Sequence, residues 1–179
     1  SVVGNTVTRN NEHGIYLVTS SPFSTISANT VLATGTAAFG IRIQSSDSAQ
    51  IVGNTLDGKS TGNMGVLHNN SSHILINDNI IRNWNLRCIQ IVANATTVDR
   101  ITIKDNDLSD NGDAIQFIEQ NGGSIINVVQ GGNQGHTFGF PTNTNHQGDT
   151  FQPDDPDINS SVHRVLMDTS PENDLSGRR

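Results

Sequence analysis

The chain has 179 residues, of which 33% are hydrophobic, 15% charged and 4% aromatic. An ordinary globular domain has roughly 45–50% apolar and 25% charged residues, so most polar side chains here are neutral, and Asn is the most frequent residue. A net charge of −7 argues against nucleic acid as a partner, because phosphate binding requires clustered Lys and Arg. No apolar stretch reaches the roughly 18 residues that span a bilayer, which argues against a membrane partner. The single cysteine, Cys88, excludes an intrachain disulfide, and its apolar surroundings predict a buried, inert thiol.

A short pattern recurs along the chain. The sequence apolar-x-x-Asn-x-apolar occurs five times, and successive Asn residues are 24, 25, 25 and 27 residues apart. These residues are Asn5, Asn29, Asn54, Asn79 and Asn106. A second pattern, a small residue followed by Ile or Val, keeps the same period at Ile15, Ile41, Val66, Ile89 and Ile115. Short alternating segments separated by Gly, Asn, Asp and Ser predict strands rather than helices, and their fixed period predicts an all-β solenoid with parallel, stacked strands.

The recurring Asn has a physical explanation. Asn tolerates left-handed backbone angles at a tight corner, and its amide both donates and accepts hydrogen bonds. We therefore expect a ladder of buried amides in which each Asn bonds to the next coil. In the sixth coil Gly131 takes the place of the Asn, so the pattern is expected to end there.

These two interleaved patterns resemble the repeats of right-handed parallel β-helix proteins. That pectate-lyase-like superfamily includes polysaccharide lyases, polygalacturonase-type hydrolases, alginate C5-epimerases and phage tailspike depolymerases. The resemblance covers about residues 1–130 and implies a right-handed parallel β-helix of about 25 residues per coil and six to seven coils. It implies less about chemistry, because one scaffold carries many functions.

A long insertion interrupts the repeat over residues 131–147 of what we predict to be one domain, 1–179, with a polar tail over 170–179. The segment 148–152 is similar to the segment 112–116, so Phe151 is expected to follow Ile115 in the inward column. The uncovered first coil predicts either a longer chain or a homo-oligomer, because an exposed strand edge invites pairing.

The residues that follow the inward column are expected to point outward and to line a saccharide-binding groove. They are Tyr16, Arg42, Leu67, Gln90, Gln116 and Gln152. A neighbouring corner column contains His13, Phe39, Met64, Arg87, Asp113 and Asp149. Amides, carboxylates and an Arg are suited to ligands that carry hydroxyl and carboxylate groups.

Three interpretations of Asp113 and Asp149 stay open. On adjacent coils they would lie roughly 5 Å apart, so that repulsion raises one pKa and makes one of them a general acid or base. Alternatively they share a Ca²⁺ ion, the cofactor that fits their oxygens, or they only bond backbone amides at a corner. The resemblance implies that Arg87 neutralises a uronate carboxylate and that His136 or His146 acts as base or acid.

Several functions therefore remain as hypotheses for a secreted or extracellular protein whose partner is a polysaccharide. The first is a lyase or C5-epimerase that acts on a uronate-containing polymer. The alternatives are a glycoside hydrolase with paired carboxylates and a non-catalytic module, such as an adhesin or a virion-associated tailspike segment. The scattered residues His68, His73 and His163 are interpreted as surface or corner residues.

Overall fold

The computed structural model describes residues 1–33, 35, 36, 38–109, 113–134, 150 and 151, and for residues 10, 113, 150 and 151 it describes the backbone alone. All of its regular elements are strands, and every strand pairing is parallel. The described residues contain no helix that is long and apolar enough to cross a membrane.

The strands follow one another in coils. The first coil contains β1 (Val2–Val3), β2 (Thr6–Asn10) and β3 (His13–Leu17), and the second contains β4 (Thr25–Ser27), β5 (Thr30–Ala33) and β6 (Phe39–Gln44). The third contains β7 (Gln50–Val52), β8 (Thr55–Asp57) and β9 (Met64–Asn69), and the fourth β10 (Ile74–Asn77), β11 (Ile80–Arg82) and β12 (Arg87–Asn94). The fifth contains β13 (Thr97–Lys104) and β14 (Asp113–Gln120), and β15 (Ser124–Gly131) begins the sixth; β16 (Thr150–Phe151) follows.

Stacking of the coils creates three parallel sheets. Sheet A has the order β1-β4-β7-β10-β13-β15-β16, sheet B the order β2-β5-β8-β11, and sheet C the order β3-β6-β9-β12-β14. The predicted all-β parallel solenoid is confirmed, with about five coils of roughly 25 residues and the first strand of a sixth among the described residues. The strands of the first coil are the edges of their sheets, and the expectation that a further coil or a second copy covers them stays a prediction.

The interior is filled by columns of aliphatic side chains. Ile15, Ile41, Val66, Ile89 and Ile115 lie in one register on sheet C and are buried, as the sequence predicts. Phe151 does not continue this column, because its strand pairs with β15, opposite Gln130 in sheet A. The similarity between segments 112–116 and 148–152 was therefore misleading about the sheet to which Phe151 belongs. Cys88 is buried, as expected.

The predicted Asn ladder is present and extends further than expected. Each Asn accepts at Oδ1 from the backbone N–H and the side-chain Nδ2 of the Asn one coil earlier, as in the 2.9 Å bonds from both donors of Asn54 to Asn79. The ladder ends on Asn133, to which Asn106 donates. Because Lys104 pairs with Gly131, the sixth ladder position falls two residues after Gly131. The prediction that Gly131 replaces the Asn is therefore wrong. The predicted start of the insertion is also wrong, because residues 131–134 still belong to the sixth coil: Gln134 forms a parallel β-bridge with Asp107 of the fifth coil.

The corner itself is built differently from the expectation. The left-handed backbone belongs to the residue before each ladder Asn, with φ between 53° and 69°, rather than to the Asn. These residues are Gly4, Ala28, Gly53, Asp78, Asp105 and Gly132. The preceding residue makes the turn, and the Asn side chain is thereby free to hold neighbouring coils together.

Trp84 fills the space between sheets B and C in the middle of the helix. It is buried, and its indole N–H donates to the carbonyl of Leu56 at 3.3 Å. Glycines of neighbouring coils leave room for the ring: a Cβ at Gly62 would lie 2.5 Å from Trp84 Cζ3, and one at Gly58 2.7 Å from Cδ2. The one tryptophan of the chain therefore depends on residues without side chains.

Candidate functional site

The outer face of sheet C carries the predicted columns in the predicted register. Adjacent coils pair Tyr16, Arg42, Leu67, Gln90 and Gln116 in one column. The corner column pairs His13, Phe39, Met64, Arg87 and Asp113. A third column, which the sequence analysis did not single out, contains Gln44, Asn69, Val92 and Ile118. Neighbouring strands lie roughly 4.8 Å apart, so these columns form a continuous surface along the helix axis.

An aromatic and arginine cluster occupies this face in the first two coils. The ring of His13 contacts those of Tyr16 and Phe39, with centroids 4.9 Å and 5.1 Å away. The guanidinium carbon of Arg42 lies 5.0 Å from the centroid of the Tyr16 ring and 6.0 Å from that of the Phe39 ring. Cation–π attraction therefore holds the guanidinium group between two aromatic side chains. We call these residues, together with Gln44, the arginine cluster.

Hydrogen bonds fix the orientation of the arginine cluster. Arg42 Nη2 donates to Gln44 Oε1 at 3.1 Å, and Tyr16 Oη donates to the same oxygen at 2.7 Å. Arg42 Nη1 lies 3.1 Å from His13 Nε2, a contact in which the neutral imidazole accepts. Tyr16 remains 38% exposed, so solvent and ligands reach the cluster.

Part of the hydrogen-bonding capacity of this face is unused. His13 Nδ1, Arg42 Nε and Asn69 Oδ1 are shielded from solvent and have no hydrogen-bond partner. Buried polar atoms without partners are rare, because each costs about 1–3 kcal/mol. Three of them lie on this face in three consecutive coils, and others lie elsewhere, such as both ring nitrogens of the enclosed His68.

The middle of the face is apolar. Met64, Leu67 and Val92 form a cluster separate from the interior core, and Phe39 and Ile118 pack against it. Leu67 was expected to be an outward residue, and it is, but only 9% of its side chain is exposed. At the positions of Met64 and Leu67 the third coil therefore presents aliphatic groups, and its hydrogen-bonding group on this face is Asn69, two residues further along β9.

Amides occupy the fourth and fifth coils. Gln90 Nε2 donates to Gln116 Oε1 at 2.5 Å, so the two predicted ligands bond to each other across adjacent strands. Arg87 is half-buried, and its backbone pairs with that of Asp113. The structure thus brings Arg87, Gln90 and Gln116 to one end of the face and Arg42 and Tyr16 to the other.

Other predicted site residues lie outside the described residues. These are His136, His146, Asp149, Gln152 and the side chain of Asp113. Their catalytic, Ca²⁺-binding and substrate-binding roles therefore stay predictions. Asp149 was expected to lie next to Asp113 because Phe151 was expected to follow Ile115 in sheet C. Phe151 lies in sheet A, so this reason for placing the two aspartates together no longer holds.

Sequence reasoning missed three members of this face as functional candidates. His13 and Phe39 were placed in the corner column but given no role, and Gln44 was not singled out at all. The period-two alternation from Arg42 predicts Gln44 on the same face. No sequence signal predicts that Arg42 contacts both Tyr16 and Phe39.

Two titratable groups of the described residues have shifted pKa values. Burial by itself would raise the pKa of Asp57, but hydrogen bonds from the Lys59 backbone and the Asn83 side chain, together with the Lys59 charge, lower it. Burial lowers the pKa of His68 to about 3, because this imidazole is completely enclosed. The prediction that His68 is a surface or corner residue is therefore wrong: it takes an inward position between Ile43 and Ile91. His73 is exposed at a corner with left-handed φ, as expected.

Comparison with known proteins adds one similarity. Residues 1–89 match the model of a family described as periplasmic copper-binding protein (NosD), and this range is just under half of the chain. No curated protein and no solved structure gives a significant match. The match agrees with a parallel β-helix, whereas likeness to pectate lyases or alginate epimerases is not confirmed, and neither lyase nor epimerase activity is supported.

Proposed function

We propose that this protein binds a uronate-containing polysaccharide along the outer face of sheet C. The observation that carries the proposal is the arginine cluster, in which Arg42 is held between Tyr16 and Phe39 beside the amide of Gln44. Aromatic side chains offer flat apolar surfaces with a polar edge, which suit the C–H faces of a sugar ring. A guanidinium group recognises a carboxylate with two parallel hydrogen bonds.

The cluster is also pre-organised for this task. Its side chains are already ordered by contacts with one another, so less conformational entropy is lost when a ligand binds. A carboxylate that approaches Arg42 replaces its contacts with His13 and Gln44, both of which are neutral partners in this arrangement. A carboxylate adds a second charge of opposite sign and accepts two parallel hydrogen bonds from one guanidinium group, which neutral single acceptors do not, so the exchange favours the ligand.

Catalysis is a further step of the same proposal. In a lyase or C5-epimerase, Arg42 or Arg87 would neutralise the uronate carboxylate, and a base such as His136 or His146 would remove the C5 proton. A hydrolase would use Asp113 and Asp149 instead. The contacts of the described residues support binding, so we propose binding as the primary function and treat turnover as a separate question for the same experiment. The word periplasmic in the description of the NosD family supports an extracytoplasmic location, where polysaccharides are encountered.

Copper is the other ligand that this family description suggests, and the described residues do not fit it. Copper sites use clustered imidazole, thiolate or thioether groups, and no three His, Cys, Asp or Glu side chains lie together in the described part of the chain. His13 lies beside the positive charge of Arg42, and His68 is enclosed by aliphatic neighbours. Cys88 Sγ is buried against the carbonyls of Ile81 and Leu108. We therefore assign copper no role in this proposal.

Calorimetric titration with a panel of uronate-containing and neutral glycans tests the proposal. Wild type is compared with Arg42→Gln and Tyr16→Ala, and Arg9→Gln is the matched control, because Arg9 is exposed and belongs to sheet B rather than to sheet C. We expect Arg42→Gln to weaken uronate binding about tenfold or more, since a charged hydrogen bond contributes about 1.5–3 kcal/mol. Tyr16→Ala should weaken binding of uronate-containing and neutral glycans alike, and Arg9→Gln should change nothing.

Two results would contradict the proposal. One is wild-type protein that binds no glycan, and the other is an equal loss of affinity in Arg42→Gln and Arg9→Gln. The same samples are checked for unsaturated products by ultraviolet absorbance, for C5 inversion by NMR in deuterated water and for new reducing ends. Binding without any of these changes indicates a non-catalytic module, whereas product formation that Arg42→Gln reduces indicates an enzyme.

A further inference from the structure

The chemical character of the binding face changes from coil to coil. The second coil contributes a cation, Arg42, whose register neighbours are Tyr16 and Leu67 and include no acid. The third coil contributes Met64 and Leu67, which are apolar. The fourth and fifth coils contribute the neutral amides of Gln90 and Gln116. Among the described residues of the column that runs parallel to the helix axis, from Tyr16 to Gln116, positive charge therefore occurs at Arg42 alone.

Arg87 does not add a second cationic subsite to this column. It lies in the corner column, three residues along β12 from Gln90, which is a displacement of roughly 10 Å across the sheet. Its register partner is Asp113, so that the two formal charges at these adjacent positions sum to zero. Among the described residues, Arg42 is the arginine of this face that has no acidic neighbour in register.

The spacing of the coils converts this pattern into a requirement on the ligand. Adjacent strands lie roughly 4.8 Å apart, and a pyranose unit of an extended glycan advances by about the same distance as one coil. A glycan lying along the column therefore places successive sugars over successive coils. A polymer with a carboxylate on every sugar would set one over Arg42 and the next over Leu67.

A carboxylate over the third coil is unfavourable. In the third coil Met64 and Leu67 offer no donors, and Asn69, two residues along β9 from Leu67, offers only a neutral amide, so a carboxylate at this position has no cationic partner. Transfer of an unpaired carboxylate from water to an apolar surface costs several kcal/mol. The net charge of −7 adds general repulsion toward a densely charged polyanion. A neutral sugar, by contrast, brings no charge to this apolar position and offers hydroxyl groups to the hydrogen-bonded pair of Gln90 and Gln116.

We propose that the ligand is a heteropolysaccharide in which each uronate is separated from the next by at least one neutral sugar, rather than a homopolyuronate. This inference rests on the proposed function, since it names the ligand class for the same face. Arg42 binds the isolated carboxylate, and the third to fifth coils bind the neutral sugars that follow it.

Competition binding with three polymers tests the inference. They are polymannuronate, with an acid on every sugar; unsulfated chondroitin, with an acid on every second sugar; and carboxyl-reduced chondroitin, with none. We expect unsulfated chondroitin to bind at least tenfold more tightly than either of the others. Arg42→Gln should bring unsulfated and carboxyl-reduced chondroitin to equal affinity, whereas Arg9→Gln should preserve the difference.

A cation added to the third coil provides an independent test. Leu67→Arg should raise the affinity for polymannuronate severalfold and reduce the preference for chondroitin, and Leu75→Arg, on the outer face of sheet A, is the matched control. If Leu67→Arg fails to fold, Gln116→Arg at a half-buried position of the same column is used instead, with the same expected gain in affinity for polymannuronate. The result that overturns the inference alone is polymannuronate binding as tightly as chondroitin while Arg42→Gln still weakens both. Absence of binding to all three polymers and to the wider glycan panel overturns the proposed function and this inference together.

Discussion

Asn54 is the position at which the ladder is most readily tested, because it lies in the middle of the stack and is only 1% exposed. Its Nδ2 donates to Asn79 Oδ1 and to the carbonyl of Ile26, both at 2.9 Å, and to the carbonyl of Val52 at 3.3 Å. Its Oδ1 accepts from the backbone N–H and the Nδ2 of Asn29, at 3.0 Å and 2.9 Å. Asn54→Ala removes all five of these bonds at once.

The expected cost follows from which partners are left without a bond. The side-chain amide of Asn29 keeps its bond to the carbonyl of Val2, and Asn79 Oδ1 keeps the backbone N–H of residue 54. The buried backbone N–H of Asn29 loses its side-chain acceptor, which costs about 1–3 kcal/mol, and each remaining bond contributes about 0.5–1 kcal/mol. Asn54→Ala should therefore lower the free energy of unfolding by about 3–7 kcal/mol, a large part of the roughly 5–15 kcal/mol of a typical domain.

Asn5 provides the matched control for Asn54→Ala. It is exposed at the end of the ladder, and its Nδ2 donates only to the carbonyl of Val3 and to Asn29 Oδ1. Asn5→Ala should cost about 0.5–1 kcal/mol. Urea titrations followed by circular dichroism give both values by linear extrapolation. If the two variants differ from each other by less than 1 kcal/mol, the ladder is not a stabilising network, and the reasoning is refuted.

Three further predictions concern the interior and the corners. His68 has a pKa of about 3 in the folded protein, below the ordinary 6.5, so the unfolded chain binds the proton first and the free energy of unfolding decreases as pH falls from 6.5 toward 3. In urea titrations, His68→Leu should reduce the decrease in unfolding free energy between pH 7 and pH 5 by about 2 kcal/mol. The same pH dependence in wild type and variant would contradict this. Ala28→Gly should raise the unfolding free energy by about 0.5–1 kcal/mol, because the φ of 53° is strained for Ala; a lower urea midpoint would count against it. Gly62→Ala should cost about 1–3 kcal/mol through overpacking against Trp84 and change the tryptophan emission spectrum, and an unchanged spectrum and midpoint would show that the ring has room.

Much of the fold was predictable because a solenoid repeats its local rules. The steps between Asn5 and Asn106 predicted the stacking register, and the alternation around Ile41 predicted which side chains face inward. Both predictions follow from the period-two geometry of strands and the equal length of the coils. The outer columns of sheet C were predictable for the same reason, and the structure confirms their register from Tyr16 to Gln116.

The errors arose where the repeat is not strict. Asn133 follows Asn106 by 27 residues, the same step as from Asn79 to Asn106, but Gln130 replaces the apolar residue of the pattern, and only the register between β13 and β15 reveals this ladder position. Phe151 has the sequence context of a sheet C strand but pairs in sheet A, because pairing depends on the path of the preceding chain and not on local similarity. His68 lies two residues after the inward Val66, so period-two alternation predicts an inward side chain, but a polar histidine was interpreted as a surface residue; the stacking of β6, β9 and β12 encloses it.

The amino-acid sequence by itself determined the architecture of this protein: parallel strands, a coil of about 25 residues, a column of stacked Asn side chains and a face of outward polar residues. Only the tertiary structure decided which of those outward residues act together. The arginine cluster joins residues from the first two coils, and the apolar patch joins residues from the second to the fifth. The physical reason is that periodicity fixes the direction of each side chain, whereas contacts between coils depend on the size and charge of whichever side chains happen to be stacked.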